Sequence, residues 1–242
     1  MDESLVLLIR QRMQRALDQI AEAAVGCGRD PGAVHLVVVT KSQPLEVVRM
    51  AVEAGATLLG ENYAEEAAVK IAALKEKSEV EWHMIGHVQS RKADLVARDF
   101  NMLHSLDSLK LAAHLELRCG ELHRTMPVLL EFNVSGEESK YGLPAWDETR
   151  WMDLLPELEP MVQFRSLQVR GLMTMPPFFT DAERSRPYFR RLRQLQDFLM
   201  KRLPQLDWQE LSMGTSADYT AAVQEGATYV RIGQAILGLR PA

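Results

Sequence analysis

The stretch HLVVVTK, residues 35–41, decides the fold of this 242-residue chain. Its run of leucine and valine is closed by Thr40 and Lys41. Nearly continuous apolar strands of this type are typical of parallel sheets that are buried on both faces. The pattern returns along the chain, and it predicts further strands at residues 57–60, 81–86, 102–105, 128–134, 169–174, 209–213 and 228–232.

Segments with helical spacing lie between these strands. They are predicted at residues 45–54, 62–76, 90–98, 108–119, 147–158, 187–202 and 216–225, and one more can begin at Gln234. An amphipathic helix also precedes the first strand and is stopped by Gly26 and Gly28.

Eight strands, each followed by a helix, match the construction of a TIM barrel. We therefore predict an α/β fold with one (β/α)8 barrel domain over residues 1–242, in which residues 1–30 form an N-terminal helix packing on the barrel. An open, doubly wound sheet would give a similar alternation, but eight units favour closure.

Composition excludes several classes of protein. With 47% hydrophobic and 25% charged residues, the chain has the material for a large core. A net charge of −5 argues against a general nucleic-acid binder. The two cysteines are too few for a disulfide framework or a four-cysteine zinc site, and we expect no metal. Since no apolar stretch is long enough to span a membrane and no basic region precedes the N-terminal apolar run, we expect a cytoplasmic protein without membrane binding.

Lys41 is the first candidate for chemistry, because active sites of TIM barrels lie at the C-terminal ends of the strands. A lysine that directly ends an apolar strand would point into the barrel mouth. Partial desolvation there favours the neutral amine, which can attack a carbonyl and form a Schiff base with a substrate or with pyridoxal phosphate. The alternative is an ion pair at the rim of the barrel.

The second candidate is the segment Ser212–Asp218 together with Arg231–Gly233. A glycine-containing loop that opens a helix presents backbone N–H groups to a phosphate, and the loops after strands seven and eight are the usual phosphate site of this fold. Ser216 can add a hydroxyl, and Gly233 permits close backbone approach. The alternative is an ordinary helix start with Ser216 as the N-cap.

Seven stretches, in order along the chain, resemble the pyridoxal phosphate homeostasis proteins of the YggS/PROSC type. They are Val38–Lys41, Gly60–Tyr63, Trp82–Ser90, Ser139–Leu143, Arg170–Thr174, Leu211–Asp218 and Val230–Gly233. The resemblance implies a barrel similar to the N-terminal domain of alanine racemase (PLP fold type III). It also implies that pyridoxal 5′-phosphate (PLP) is held as a Schiff base on Lys41.

The resemblance further assigns a set of cofactor-binding residues around that lysine. Asn62 maps close to the cofactor, and phosphate binding maps onto Gly214, Thr215, Ser216, Arg231 and Gly233. Two positions depart from the residues common in the family: Arg91 stands in place of an asparagine, and Thr215 in place of a methionine.

Two classes of function follow from the resemblance. The first is a monomeric carrier that stores, buffers or delivers PLP, with PLP-dependent apoenzymes as recipients. The alternative is a PLP-dependent amino-acid racemase-like enzyme. A third hypothesis is an aldolase-type Schiff-base enzyme that needs no cofactor. Little chain follows the last strand, whereas alanine racemase adds a second domain to this barrel, so we expect a carrier without efficient racemase activity.

Overall fold

The computed structural model describes residues 2–239, so residue 1 and residues 240–242 of the predicted domain lie outside the described part. Parallel strands form a closed barrel: β1 (His35–Val39), β2 (Leu58–Glu61), β3 (Glu81–Met84), β4 (Met102–Leu106), β5 (Met126–Asn133), β6 (Leu167–Met173), β7 (Glu210–Thr215) and β8 (Tyr229–Ile232). Each strand pairs with its sequence neighbours, and β8 pairs with β1 to close the ring. A two-residue strand, Leu143–Pro144, pairs with β5 outside the ring. The predicted TIM barrel is confirmed.

Helices surround the barrel. They are α1 (Glu3–Gly26), α2 (Leu45–Glu53), α3 (Ala64–Ala73), α4 (Ala93–Asp99), α5 (Leu109–Glu121), α6 (Leu155–Leu158), α7 (Arg186–Arg202), α8 (Tyr219–Gln224) and α9 (Gln234–Leu237). Short 3-10 helices lie at Pro31–Ala33, Ser90–Lys92, Glu148–Leu154, Glu159–Gln163 and Ala182–Arg184. Within residues 2–239, no helix combines the length and the apolar character needed to cross a bilayer.

The first helix begins where the side chain of Asp2 accepts hydrogen bonds from the N–H groups of Ser4 and Leu5. This N-cap satisfies two of the amide groups that have no partner inside the helix. The apolar face of α1, which includes Ile9 and Ile20, is buried. Arg12 donates to the carbonyl of Ile236, so α1 packs against α9, the helix that follows the last strand.

The prediction of an α-helix at 147–158 is wrong for most of that segment. Residues Glu148–Leu154 form a 3-10 helix, and only Leu155–Leu158 is α-helical. Pro156 accounts for this difference, because it has no N–H to donate to the carbonyl four residues earlier and its ring crowds that carbonyl. The α-helix can therefore begin only where Pro156 occupies its first turn.

Alternation along the strands defines what faces the barrel interior, since successive side chains point to opposite faces. Leu103, Leu130 and Leu172 belong to the large apolar cluster between the strands and the helices. Their neighbours Met102, Leu129 and Met173 form a separate small cluster, which therefore lies inside the barrel. The same alternation places buried polar side chains in the interior, among them His83, His104, Ser212, Arg231 and, nearer the mouth, Glu131.

Candidate functional site

A cavity of about 630 Å³ opens at the C-terminal mouth of the barrel. Six of the residues predicted from the sequence line it: Lys41, Asn62, Thr215, Ser216, Arg231 and Gly233. Gly214 does not line the cavity. The wall also includes residues that the sequence analysis did not assign to the site, among them Ile85, Glu131, Ser139, Lys140, Tyr141, Met175 and Phe178.

Lys41 reaches the cavity because it is the second residue after β1. Val38 packs in the cluster between the strands and the helices, so the alternation turns Thr40 to that side and Lys41 towards the barrel. Thr40 is fully buried, and its hydroxyl donates to Glu61 Oε1 at 2.7 Å. The strand end is thus anchored on its outer side while the lysine lies on the cavity side.

The loop after β7 is closed by Asp218. Both the N–H and the hydroxyl of Thr215 donate to Asp218 Oδ1, at 2.7 and 3.1 Å. The donors of Thr215 are therefore used within the loop. Because α8 begins at Tyr219 with Asp218 as its preceding residue, Ser216 is not the N-cap, and its side chain stays on the cavity wall.

Glycine is required at two points beside this loop. Gly214 has a φ of +93°, and a Cβ there would lie 2.9 Å from Tyr219 Cα, so it lets the loop fold onto α8 beneath the cavity. At Gly233, a Cβ would lie 3.0 Å from the carbonyl oxygen of Val39. This close approach brings the ends of β1 and β8 together at the cavity wall.

Arg231 forms the floor of the cavity and is 3% exposed. Its Nη2 donates to the carbonyl of Thr174 at 2.9 Å and lies 2.9 Å from Met175 Sδ, while its Nη1 donates to Ser212 Oγ. Burial lowers the pKa of Arg231 to about 10, although the nearby carboxyl groups of Glu131 and Asp218 oppose this shift. The guanidinium remains a cation at neutral pH.

A chain of hydrogen bonds continues from Arg231 through the barrel interior. Ser212 Oγ lies 2.8 Å from His104 Nδ1, and His104 Nε2 lies 3.0 Å from His83 Nδ1. His83 Nε2 in turn lies 3.6 Å from Glu81 Oε2 at the opposite end of the barrel.

Arg231 can only donate, so Ser212 Oγ accepts at the head of this chain. The directions of the next two hydrogen bonds, between Ser212 and His104 and between His104 and His83, are set by the tautomers of the two rings. A neutral His104 agrees with its pKa, which lies well below the ordinary value because of burial and the neighbouring His83 and Arg231.

Glu131 is a buried carboxyl on the cavity wall that the sequence analysis missed. Burial, together with the charge of Asp107, raises its pKa to about 7, and the attraction of Arg231 and Lys140 does not cancel this effect. The sequence does mark this residue, because Glu131 lies within an apolar strand, where a glutamate is rare unless it is paired or functional.

The loop between β5 and α6 covers one side of the cavity. The ring of Tyr141 stacks on His87, with centroids 4.0 Å apart and an angle of 8° between the planes. His87 Nδ1 lies 2.7 Å from Asp107 Oδ2, so the loop is held through His87 to the end of β4. This contact places Ser139 and Lys140 beside the cavity.

His83 and His87 are four residues apart in the sequence but lie in different parts of the barrel. His83 is buried inside the barrel, whereas His87 lies at the cavity. Among residues 2–239 there is no group of three or more His, Cys, Asp and Glu side chains that could hold a metal ion.

Comparison with known proteins first defines the class. Residues 12–241 match the family described as alanine racemase, N-terminal domain. The structure of PipY from Synechococcus elongatus PCC7942 with PLP bound superposes with a TM-score of 0.80 at 33% identity, covering 95% of this chain and 100% of PipY.

Two curated relatives narrow this class. The pyridoxal phosphate homeostasis protein of Vibrio alginolyticus is 38% identical over 236 residues, covering 96% of this chain and 97% of the relative. The protein of that name from Pseudomonas aeruginosa is 40% identical over 233 residues, covering 96% of each chain. The chain belongs to the family of pyridoxal phosphate homeostasis proteins.

Proposed function

We propose that this protein binds PLP in the barrel-mouth cavity, holds it covalently through Lys41 and acts as a carrier in PLP homeostasis. One observation carries the proposal: three groups from neighbouring strand ends line the same cavity. They are the amine of Lys41 after β1, the buried guanidinium of Arg231 in β8 and the loop at Ser216 after β7. Bound there, PLP supplies an aldehyde that condenses with an amine, with loss of one water.

The charge of the cavity suits an anionic ligand. Lys140 and Arg231 bring cationic groups to its wall, whereas the carboxyl of Glu131 is half protonated near neutral pH. Phosphate esters carry close to two negative charges at pH 7. A net positive, partly desolvated wall therefore favours PLP over an unphosphorylated pyridoxal.

The phosphate is assigned to the loop at Ser216 and the segment that begins at Gly233. Because α8 has only six residues, its dipole contributes little, and discrete donors must carry the binding. The donors are the Ser216 hydroxyl and the N–H groups of Ser216 and Ala217, for which no partner occurs within the described residues 2–239. Gly214 and Thr215 act by shaping this loop.

Arg231 is assigned to the pyridine nitrogen, and the apolar side chains of Val39 and Ile85 to the faces of the ring. Arg231 can only donate, and it is fixed by Ser212 and by the carbonyl of Thr174. An arginine in this place keeps the ring nitrogen unprotonated and weakens the ring as an electron sink. This electrostatic setting suits retention of PLP more than amino-acid chemistry.

The proposal also covers the partners of the carrier and its location. PLP-dependent apoenzymes are the proposed recipients, the protein is proposed to act as a monomer in the cytoplasm, and neither nucleic acid nor membrane is a proposed partner. The exposed Tyr141 and Phe178 border the cavity, which leaves its mouth open for entry and release of the ligand.

The second candidate is the racemase-like enzyme, and Glu131 is the observation that favours it. A carboxyl with a pKa of about 7 on the cavity wall is suited to accept and return a proton. Racemisation needs such a group on the face of the substrate opposite Lys41.

A binding titration tests the proposed function. We expect PLP to bind the wild-type protein with a new visible absorption band, and we expect Lys41→Ala to bind PLP more weakly and without that band. Lys140→Ala, which removes the other cavity lysine, should keep the band. The same band in Lys41→Ala would refute the assignment of the lysine.

A further inference from the structure

A buried ionic cluster lies directly behind Lys41, between β1, β2 and α3. Its centre is Lys70, whose side chain is 5% exposed. Lys70 Nζ contacts Glu61 Oε1 at 2.8 Å and Glu66 Oε1 at 2.5 Å. We call Lys70, Glu61 and Glu66 the Lys70 cluster. Burying a lysine is costly unless it is paired, so this arrangement calls for an explanation.

The Lys70 cluster holds the backbone immediately before Lys41. Lys70 Nζ donates to the carbonyl of Thr40 at 2.9 Å, and that carbonyl belongs to the peptide bond that leads into Lys41. The hydroxyl of Thr40 donates to Glu61 Oε1 at 2.7 Å. Both the main chain and the side chain of Thr40 are therefore tied to the cluster.

The same cluster holds the backbone immediately after Lys41. The N–H of Ser42 donates to Glu66 Oε1 at 2.9 Å. Ser42 has a φ of +58°, in the left-handed region that a residue with a Cβ adopts only when its surroundings enforce it. Glu66 itself is fixed by its ion pair with Lys70. The residues on both sides of Lys41 are therefore held by Lys70. Thr40 is held directly through its carbonyl, and Ser42 is held through Glu66.

The Lys70 cluster is not explained by a contribution to the stability of the fold. Glu61 Oε2 is buried without a hydrogen-bond partner among the described residues, and burial raises the pKa of Glu61 although Lys70 and Thr40 oppose the shift. A pair of buried charges with an unsatisfied oxygen is a poor source of stability. Its contacts instead converge on the two peptides that set the direction of the Lys41 side chain.

We propose that Lys70 is a positioning residue for Lys41: it fixes both flanking peptides so that Lys41 Nζ enters the cavity at the place where it can bond to an aldehyde carbon. This inference rests on the proposed function. In the step concerned, the neutral Nζ forms a double bond to that carbon, and the aldehyde oxygen leaves as water with the two protons of the amine. Small misplacements of a reacting group can cost about 100-fold in rate.

The test separates covalent capture from non-covalent binding. Pyridoxine 5′-phosphate carries an alcohol in place of the aldehyde, so it fills the site without reacting with Lys41. We expect Lys70→Met to slow covalent modification of Lys41 by PLP about 10- to 100-fold, measured by timed borohydride trapping and mass spectrometry. Its Kd for pyridoxine 5′-phosphate should stay within about threefold of the wild-type value, a difference of at most about 0.7 kcal/mol.

Three further variants keep the test decisive. Lys70→Arg, which retains a cation and several donors, should restore most of the capture rate. Glu66→Ala removes the partner of the Ser42 N–H and one of the two carboxylates paired with Lys70, but leaves the bond from Lys70 to the carbonyl of Thr40. Because Glu66 is partly exposed, this variant should fold, and it should slow capture to a smaller extent. Lys77→Met is the matched control, because Lys77 pairs with Glu53 on the surface.

Two results would overturn the inference: capture at the wild-type rate in both Lys70→Met and Glu66→Ala, or an equal loss of PLP and pyridoxine 5′-phosphate binding in the folded variants. The second result would make Lys70 a structural residue of the site as a whole. If PLP does not modify Lys41 in the wild-type protein, the proposed function itself fails, and this outcome is recognised before any variant is made.

Discussion

His104 Nε2 lies 3.0 Å from His83 Nδ1 inside the barrel, and both side chains are almost completely buried. The pair continues the hydrogen-bond chain that starts at Arg231 and passes through Ser212. Arg231 at its head can only donate, so Ser212 accepts its hydrogen bond. The barrel interior therefore contains a polar line that fixes the guanidinium at the cavity floor.

Replacing Ser212 by alanine should destabilise the protein. The change removes the acceptor of Arg231 Nη1 and leaves His104 Nδ1 buried without its hydrogen-bond partner, which costs about 1–3 kcal/mol in the free energy of unfolding. Chemical denaturation of the ligand-free variant measures this loss. The control is Ser185→Ala, since Ser185 Oγ is buried and has no partner among residues 2–239. A Ser212→Ala variant no less stable than Ser185→Ala would contradict the assigned chain.

The raised pKa of Glu131 predicts a pH dependence of stability. A carboxyl whose pKa in the folded state, about 7, exceeds its ordinary value contributes stability at low pH that is lost as the pH rises through 7. Glu131→Gln removes this loss, so the ligand-free variant should be more stable than the wild type at pH 8 by roughly 1–3 kcal/mol and equally stable near pH 4.

Denaturant unfolding at several pH values checks this prediction, with Glu138→Gln at an exposed position as the control. A stability difference that does not grow between pH 5 and 8 would show that Glu131 is charged in the folded protein at low pH, contrary to its burial.

Ser216→Ala tests the assignment of the phosphate. Loss of one hydrogen bond to a charged group costs about 1.5–3 kcal/mol, so the Kd for PLP should rise about 10- to 100-fold. The Kd for pyridoxal, which has no phosphate, should change little. Ser139→Ala, which also lines the cavity, should affect neither ligand in this way. Equal losses for PLP and pyridoxal in Ser216→Ala would place the phosphate elsewhere.

Incubation with amino acids in deuterated water separates the carrier from the racemase-like enzyme. We expect PLP-loaded protein to exchange the α-proton of L- and D-amino acids no faster than free PLP does, because Arg231 holds the ring nitrogen unprotonated. NMR of the amino acids measures the exchange. Rapid exchange that is lost in both Lys41→Ala and Glu131→Gln would establish the enzyme instead.

The sequence predicts the barrel well because the strands are buried on both faces and thus stand out as apolar runs. The strand-end rule then places Lys41, Asn62, Ser216 and Arg231 on one cavity. The predicted helix at 147–158 shows the limit, since apolar spacing does not distinguish a 3-10 helix from an α-helix and Pro156 decides between them.

Other parts of the site follow from tertiary contacts that spacing does not encode. Lys140 and Tyr141 reach the cavity only because an irregular loop folds back and Tyr141 stacks on His87. Lys70 reads as an ordinary lysine of a helix, and its burial is visible only when α3 is packed against the ends of β1 and β2. The polar chain through His83 and His104 likewise needs the strand register.

Peptide mapping of the protein after incubation with PLP and reduction by borohydride is the decisive measurement. Reduction makes the bond between the lysine nitrogen and the PLP carbon permanent, so mass spectrometry identifies the modified residue. We predict that one PLP is attached per chain, on Lys41. Attachment to Lys140 or Lys75 instead, or no attachment at all under conditions where PLP is bound, would contradict the assignment of Lys41 as the residue that holds the cofactor.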